Sequence, residues 1–325
     1  MAKEPVAGPK QRGVQPAEPT GLTEPADPRP ETDAEYRERF LRETVVVCPR
    51  NDVESDLILR LCEKLGVETV QFSQPYGARV DKEPNALDRI TGTQKPHVII
   101  IEMPGPEVEE ALAGQDCRVT IIDHHWYTGL DRTKDSEGNR LPSSLEQFLN
   151  IARITDEDLQ EWEFDPKAAR GIGVMDDRYA QGLRDEGYTQ EEINAVLDLR
   201  EQLSQESLPD MSENIAAAKE AWARRREYGR YTIVESEAHM DVRGAVGIET
   251  IRDGVDTQPN IVSVKGGEVL YVQQVEPELV EYLKEHVPGK TFSYGAGQCW
   301  GFDHKGGSAT LTLQELLGYI DAWEG

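Results

Sequence analysis

Short apolar runs rich in β-branched residues alternate with helical patterns over the first half of the chain. The runs predict buried strands at residues 44–48, 68–72 and 97–101, and a further strand that begins at residue 119. Between the first two, residues 57–65 have helical periodicity that stops at Gly66, a residue common just after a helix. Because strands and helices alternate, we expect a mainly parallel sheet with right-handed connections.

The helical patterns before and after these strands outline the rest of the first half. A helix is expected to begin near Thr32 and Asp33, which can cap it. Residues 106–113 and 143–151 also have helical patterns, and residues 156–163 continue with helical character. Residues 189–228 are largely helical, charged and only weakly amphipathic in their second half. Such a segment is typical of a connector between two compact regions.

The pattern changes at Tyr231, where short strands separated by Gly, Asp and Pro replace the long alternation. We expect strands at residues 231–235, 245–248, 260–265, 268–274 and 308–313. Gly266 and Gly267 predict a hairpin turn between two of them. Helices are expected at residues 277–285 and 314–323. This half therefore predicts a smaller α+β domain.

These patterns predict an α/β protein built from successive segments. A mainly parallel-sheet domain is expected over residues 39–188, a helical connector over 189–230 and a C-terminal substrate-binding domain over 231–325. Residues 1–38 are expected to form a disordered leader. Its first 30 residues are rich in Pro, Gly, Ala and Glu, which cannot bury enough apolar surface to fold. A passive leader is favoured over an interaction segment.

The chain is strongly acidic, with 61 Asp and Glu against 35 Lys and Arg and a formal net charge of -26. This charge argues against a broad surface for coating DNA, because phosphate neutralisation needs clustered cations. The same charge does not exclude binding of a small nucleotide through metal ions. A high-salt cytoplasm and an ordinary soluble surface both remain explanations. The four cysteines form no Cys-x-x-Cys pair, and neither a membrane-spanning run nor a secretory signal is found. We therefore expect a cytoplasmic protein with reduced thiols.

Side chains suited to metal binding follow three of the predicted strands. Asp123, His124 and His125 follow the fourth strand, Glu102 follows the third, and the first is followed by Asp52 and Glu54. The carboxyl ends of parallel strands lie at one edge of a sheet, where open α/β sheets bind ligands. Clustered carboxylates suit a hard divalent cation. The alternatives are a helix cap at Asp52 and a surface turn at the histidine pair. Asp56 is expected to be surplus to the site.

Two further segments carry candidate chemistry. The glycine-rich apolar segment at residues 171–179 brings Asp176 and Asp177, and its two glycines indicate close backbone packing. We expect these aspartates to join the same site rather than form a solvent-facing turn. Residues 292–307 form a glycine-dense stretch that can bring backbone N–H groups close to an anion, although a tight turn is the alternative. Its candidate phosphate-binding residues are Gly295, Gly297, Gln298, His304 and Lys305.

From residue 44 to the C-terminus, the order and spacing of these motifs resemble the DHH phosphoesterase superfamily. The superfamily includes RecJ-type exonucleases, oligoribonucleases, cyclic-dinucleotide phosphodiesterases and family II inorganic pyrophosphatases. The Asp-His-His motif is intact at residues 123–125. The chain departs from the family pattern at several positions. Cys48 stands where the family has histidine, Glu54 and Glu102 stand where it has aspartate, and Gln298 replaces the histidine of the C-terminal glycine loop.

The resemblance implies a metal-dependent phosphoesterase that cleaves a phosphoester bond in a nucleotide or short oligonucleotide. Two divalent ions are implied, with Mn²⁺ expected and Mg²⁺ or Zn²⁺ as alternatives. Their implied ligands are Cys48, Asp52, Glu54, Glu102, His124 and either Asp176 or Asp177. Asp123 would orient a histidine and His125 would contact the substrate phosphate.

The alternative is a degenerate DHH-like module that binds nucleotides or nucleic-acid ends, or that scaffolds a replication or repair assembly. The substitutions at Cys48 and Gln298 favour this alternative. The retained acidic and imidazole positions favour the enzyme. Neither possibility involves a membrane, and the sequence leaves the oligomeric state open.

Overall fold

The strands of the first half form one parallel sheet in the order β2-β1-β3-β4. The computed structural model describes residues 31–75, 77–125, 133–294, 297–304 and 310–324. The strands are β1 (Thr44–Pro49), β2 (Glu68–Phe72), β3 (His97–Ile101) and β4 (Arg118–Ile122). In the register, Val46 pairs with Ile99, and Ile99 with Thr120. This confirms the predicted parallel sheet and its strand positions. Residues 1–30 of the predicted disordered leader lie outside the described residues. Its remaining residues, 31–38, are described.

Helices cover both faces of this sheet. They are α1 (Asp33–Glu43), α2 (Val53–Leu65), α3 (Ala86–Thr91), α4 (Pro106–Ala113), α5 (Ser144–Ala152), α6 (Asp156–Glu161), α7 (Pro166–Asp185) and α8 (Gln190–Ser207). Val46 and Ile99 point into a core shared with α2, α5, α7 and α8, whereas Val45 and Val98 point into the core on the other face. Side chains alternate along a strand, so both faces of β1 and β3 are apolar and buried.

The ends of the first helices follow the expected chemistry. Thr32 caps α1 in a capping box with Glu35. α2 ends at Gly66, whose φ of 83° lies in the left-handed region that glycine adopts freely. The predicted helical segment from residue 189 is confirmed as α8 and α9 (Pro209–Ala223), with Pro209 opening the second helix. Residues 226–228 at its end are not helical but form β5 (Arg226–Tyr228).

The second half contains a six-stranded sheet in the order β5-β6-β7-β8-β10-β9. Its further strands are β6 (Tyr231–Ser236), β7 (Asn260–Val264), β8 (Val269–Gln273), β9 (Thr291–Tyr294) and β10 (Cys299–Asp303). β6 and β7 are parallel, and the other neighbouring pairs are antiparallel. The helices of this half are α10 (Arg243–Arg252), α11 (Pro277–His286) and α12 (Leu313–Glu324). This confirms an α+β arrangement.

Several local predictions in this half are wrong. The strand expected at residues 245–248 is part of α10, which buries Val246, Ile248 and Ile251 at helical spacing. Four residues are too short a window to separate a buried helix from a strand. Residues 310–312 are not in a strand, and residues 305–309 lie outside the described part of the chain. The glycine-dense stretch contains β9 and β10, which the sequence analysis did not anticipate. No helix among the described residues has the length and apolarity to cross a bilayer.

Candidate metal centre

Acidic and imidazole side chains gather at the carboxyl edge of the parallel sheet. Glu102 follows β3 directly, and its backbone N–H donates to Ile122 O at 2.9 Å, which ties the end of β3 to the end of β4. Glu102 has a φ of 53°, in the left-handed region. His124 follows two residues after Ile122 and is buried. The parallel pairing of β3 with β4 therefore brings the two strand-end motifs side by side.

Glu102, His124, His125 and Asp176 form a compact four-residue group. One ligand-type atom from each lies within 4.8 Å of those of the other three. His124 Nε2 lies 3.1 Å from Asp176 Oδ2 and 3.8 Å from Glu102 Oε1. Two carboxylates and two imidazoles at this separation match the ligand types that transition-metal divalent ions take. We call these four residues the metal-centre group.

Asp176 reaches the group from helix α7 rather than from a strand end. The segment is helical over residues 171–178, and its glycines permit close packing, as predicted. A Cβ on Gly171 would overlap the Val196 side chain of α8. A Cβ on Gly173 would overlap Ser143 Oγ and lie 3.0 Å from Glu54 Oε1. The absence of a side chain at residue 173 thus lets α7 lie against α2 and the start of α5.

Asp177 is held away from the group by two arginines. Its Oδ1 lies 2.5 Å from Arg140 Nη2, and its Oδ2 lies 3.2 Å from Arg178 Nε. Neighbouring residues on a helix point in directions about 100° apart, so only one of the two aspartates faces the sheet edge. The structure places Asp176 there and not Asp177.

Asp52 and Glu54 lie at the start of α2, beside the metal-centre group. Asp52 caps the helix, and its Oδ1 accepts from Ser55 N at 2.8 Å. Glu54 lies in the first turn of α2, where its Oε1 accepts from Leu145 N at 2.9 Å. Burial and the carboxylates of Glu102 and Asp176 raise the pKa of Asp52 to about 7. The same causes raise the pKa of Glu54 well above its ordinary value.

Besides Asp56 Oδ1, which faces Arg50, three buried carboxylate oxygens accept no hydrogen bond from the described residues. They are Glu54 Oε2, Glu102 Oε1 and Asp123 Oδ2. A buried oxygen of this kind costs free energy unless a proton or a cation compensates it. Two of the three belong to residues that face His124 and Asp176. The donor set and its unsatisfied oxygens therefore fit a divalent cation.

The two histidines of the motif have different partners. His125 is oriented by Asp123, whose Oδ1 lies 3.0 Å from His125 Nδ1 and accepts from the His125 backbone N–H at 2.9 Å. Burial lowers the pKa of His125, but the hydrogen bond to Asp123 and the nearby Glu102 outweigh it and raise the pKa. His124 Nδ1 accepts from Ser144 N at 3.3 Å. For His124 too the bond to Asp176 outweighs burial and raises the pKa.

Cys48 and Asp56 have their own partners. The Cys48 thiol donates to Pro49 O at 3.3 Å and lies 3.9 Å from Ser55 O. Burial raises the pKa of this thiol well above its ordinary value, and a neutral thiol is a poor metal ligand. Cys48 is not in the metal-centre group. Asp56 is buried between Arg50 and Arg60, at 3.3 and 2.7 Å, consistent with its being surplus to the site.

Of the candidate phosphate-binding residues of the second half, Gly297, Gln298 and His304 are described by the structure. Gln298 carries the backbone carbonyl that accepts from Val275 N at 3.0 Å, and Gly297 has a φ of 83°. His304 Nε2 lies 3.2 Å from Leu311 O and lines a cavity of about 420 Å³ with Glu235 and Glu268. Gly295 and Lys305 lie outside the described residues.

No protein-family model and no curated protein matches this sequence. Solved structures do match. RecJ exonuclease bound to manganese has 12% identity and a TM-score of 0.36, over 89% of this chain and 91% of that one. A pGpG-specific phosphodiesterase from Vibrio cholerae has 12% identity and a TM-score of 0.41, over 86% and 97%. A DHH domain described as belonging to a family of ribosomal proteins has 10% identity and a TM-score of 0.38, over 90% and 89%.

Two residues beside the group were missed by the sequence analysis. Arg200 of α8 and Tyr179 of α7 line a cavity together with Glu54 and Asp176. Arg200 lies in a charged helix among many other charged residues, so nothing in its local pattern distinguishes it. Only the packing of α8 against α7 and α2 brings it to the site.

Proposed function

We propose that this chain is a metal-dependent phosphoesterase whose metal is held by Glu54, Glu102, His124 and Asp176. The observation that carries the proposal is the metal-centre group, whose Glu102, His124 and Asp176 have ligand-type atoms within 4.8 Å of one another. Glu54 lies beside this group, in the first turn of α2. The unsatisfied oxygens of Glu54 and Glu102 support it, because a cation would compensate both. The intact Asp-His-His motif at the end of β4 supports the reaction class through the resemblance to DHH phosphoesterases.

A second ion is proposed between Asp52 and Glu102. Mn²⁺ is the proposed metal, because oxygen ligands with one imidazole suit it, with Mg²⁺ or Zn²⁺ as alternatives. Bound divalent ions supply Lewis acidity and lower the pKa of a bound water. Since the Cys48 thiol is neutral and engaged with backbone carbonyls, the second site has fewer ligands than the first. We therefore expect one ion to bind more tightly than the other.

His125 is proposed to contact the phosphate of the substrate. Asp123 engages the Nδ1 atom of His125, so Nε2 is the nitrogen that would contact a phosphate oxygen. The hydrogen bond also fixes the plane of the ring, which orients the contact before substrate arrives. Asp123 thereby acts through His125 as a positioning residue.

The proposed substrate is a nucleotide or a short oligonucleotide. The net charge of -26 disfavours long contacts with a phosphate backbone, so the attraction of the substrate falls to the site itself. A short substrate needs only local compensation by the metal and nearby cations. Tight, steeply salt-dependent binding of long single strands would contradict this choice.

Metal content tests the proposal without a guess about substrate. We would load the wild type, His124→Ala and His286→Ala with Mn²⁺, desalt them and measure metal per chain. His286 is an exposed histidine on α11 that serves as the matched control. We expect retained metal in the wild type and control and loss in His124→Ala. Hydrolysis of dinucleotides, short oligonucleotides and nucleoside bisphosphates should follow the same order. A wild type that retains no metal would refute the proposal and favour the non-catalytic module.

A further inference from the structure

A small cavity of about 180 Å³ adjoins the metal-centre group. Its walls come from four helices and include Glu54 of α2, Asp176 and Tyr179 of α7, Arg200 of α8 and Ile248 of α10. Glu54 and Asp176 are also proposed metal ligands, so the cavity is continuous with the metal centre. Its volume is below the roughly 300–1,000 Å³ of pockets that enclose drug-sized ligands. The space suits a single phosphate-sized group rather than a whole nucleotide.

Arg200 has no ion-pair partner among the described residues, and its side chain is half-buried at the wall of the cavity. Other partly buried arginines nearby do have partners: Arg60 pairs with Asp56 and Glu206, and Arg252 with Asp198. Burial lowers the pKa of Arg200, and Tyr179, Asp176 and Asp52 oppose this effect. A guanidinium nevertheless stays protonated in proteins. A half-buried guanidinium without an ion-pair partner is available to bind an anion that enters the cavity.

Tyr179 interrupts helix α7 three residues after Asp176. Its backbone has φ 57° and ψ -157°, a conformation that costs free energy for a bulky residue and persists only where the surroundings impose it. Tyr179 is 45% exposed, but its hydroxyl oxygen lies close to α10. A Cβ placed on Gly247 of that helix would be 2.9 Å from this oxygen. The distorted turn thus points a phenol hydroxyl towards α10, on the cavity side.

We infer that Arg200 and Tyr179 form an anion subsite that binds a phosphate group of the substrate beside the metal centre. The planar guanidinium matches two phosphate oxygens, and the phenol hydroxyl can donate a further bond. The apolar side chains of Val53, Ile172 and Ile248 line the same cavity and strengthen these bonds by excluding water. Arg200 also offsets the carboxylates that would otherwise repel the phosphate.

This inference rests on the proposed metal-dependent function, so its test measures metal and anion separately. Mn²⁺-loaded wild type, Arg200→Gln, Arg200→Lys and Tyr179→Phe would each be titrated calorimetrically with inorganic phosphate and with adenosine 5′-monophosphate. Metal per chain and circular dichroism would be recorded on the same samples. Arg224→Gln is the matched control, because it removes an equal charge from an exposed arginine on the surface after α9.

We expect all variants to retain the wild-type Mn²⁺ content. Arg200→Gln should weaken the binding of inorganic phosphate and of adenosine 5′-monophosphate by at least about tenfold, as expected for the loss of a charged hydrogen-bond donor. Arg200→Lys should weaken this binding less than Arg200→Gln does, and Tyr179→Phe should weaken it by about two- to fivefold. Arg224→Gln should leave it unchanged.

Two kinds of result would overturn the inference. If Arg200→Gln keeps its metal and binds both ligands as the wild type does, the subsite is refuted while the metal-dependent function stands. The subsite is also refuted if Arg200→Gln loses its metal, because Arg200 then supports the residues that bind the metal. It is refuted as well if Arg200→Gln weakens the binding of inorganic phosphate but not of adenosine 5′-monophosphate. A wild type without metal refutes the function and the subsite together.

Discussion

His124 Nε2 lies 3.1 Å from Asp176 Oδ2, which joins the end of β4 to the middle of α7. The two residues belong to different layers of the fold, and their contact closes the metal-centre group over the edge of the sheet. Because the adjacent Asp177 is paired with Arg140 and Arg178, the two aspartates provide a direct test of the site.

Asp176→Asn should lose the proposed metal and the proposed phosphoesterase activity, whereas Asp177→Asn should bind metal as the wild type does. The amide removes the charge that the cation needs but preserves the shape of the side chain. Metal per chain after Mn²⁺ loading is the measurement. The two variants serve as each other's control, because they change neighbouring residues identically. Equal metal loss in both, or loss only in Asp177→Asn, would mean that the ligand assignment is wrong.

Cys48→Ala should bind as many Mn²⁺ ions as the wild type. The thiol is buried, neutral and hydrogen-bonded to Pro49 O, so its removal takes no ligand from the centre. The free energy of unfolding should fall by about 1 kcal/mol through lost packing. Titration with Mn²⁺ and urea unfolding check both expectations. Loss of one ion per chain would instead make Cys48 a ligand, as the family resemblance implies.

Gly173→Ala should destabilise the protein and weaken its metal binding. The new methyl group would overlap Ser143 Oγ and lie 3.0 Å from Glu54 Oε1, pushing α7 and Asp176 outwards. Overpacking of this kind costs about 1–3 kcal/mol. Gly318→Ala in α12 is the control, because a Cβ there has no neighbour within 4 Å. That change should be neutral or stabilise the fold by up to about 1 kcal/mol. Thermal unfolding with and without Mn²⁺ distinguishes the two.

His97 should make the stability of the fold fall as the pH drops from about 7 to 4. Burial and the nearby Arg118 and Arg39 lower the pKa of His97 from 6.5 to about 4. The unfolded chain takes up the proton below pH 6.5 while the folded chain does not, so the contribution of neutral His97 is lost in this window. The expected loss is on the order of 2–3 kcal/mol.

His97→Gln is the variant for this measurement, since an amide can still hydrogen-bond Thr44 and Thr120. His97 is at the start of β3, opposite the end that carries Glu102, so the variant leaves the metal-centre group intact. Urea unfolding of metal-free wild type and variant across pH 4–7 isolates the effect, because the acidic residues contribute equally to both. Parallel pH profiles would show that His97 does not titrate as stated.

The strands at the centre of the sheet were predictable because their signal is local. Residues 44–48 and 97–101 are nearly continuous β-branched runs, and only a sheet covered on both faces makes such a pattern favourable. The convergence of Glu102 with His124 followed from the same reasoning, since adjacent parallel strands end at one edge. By contrast, residues 245–248 were assigned to a strand because a run of four residues is too short to show helical periodicity.

The sequence by itself determined the parallel sheet, the edge at which the candidate metal-binding side chains gather and the chemical types of those side chains. The tertiary structure decided which side chains meet. It selected Asp176 over Asp177 through the rotation of α7, turned Cys48 towards backbone carbonyls, and brought Arg200 beside Glu54. These outcomes depend on how helices far apart in the chain pack and rotate. Local patterns of hydrophobic and polar residues record which face of a helix is buried, but not which distant side chain that face meets.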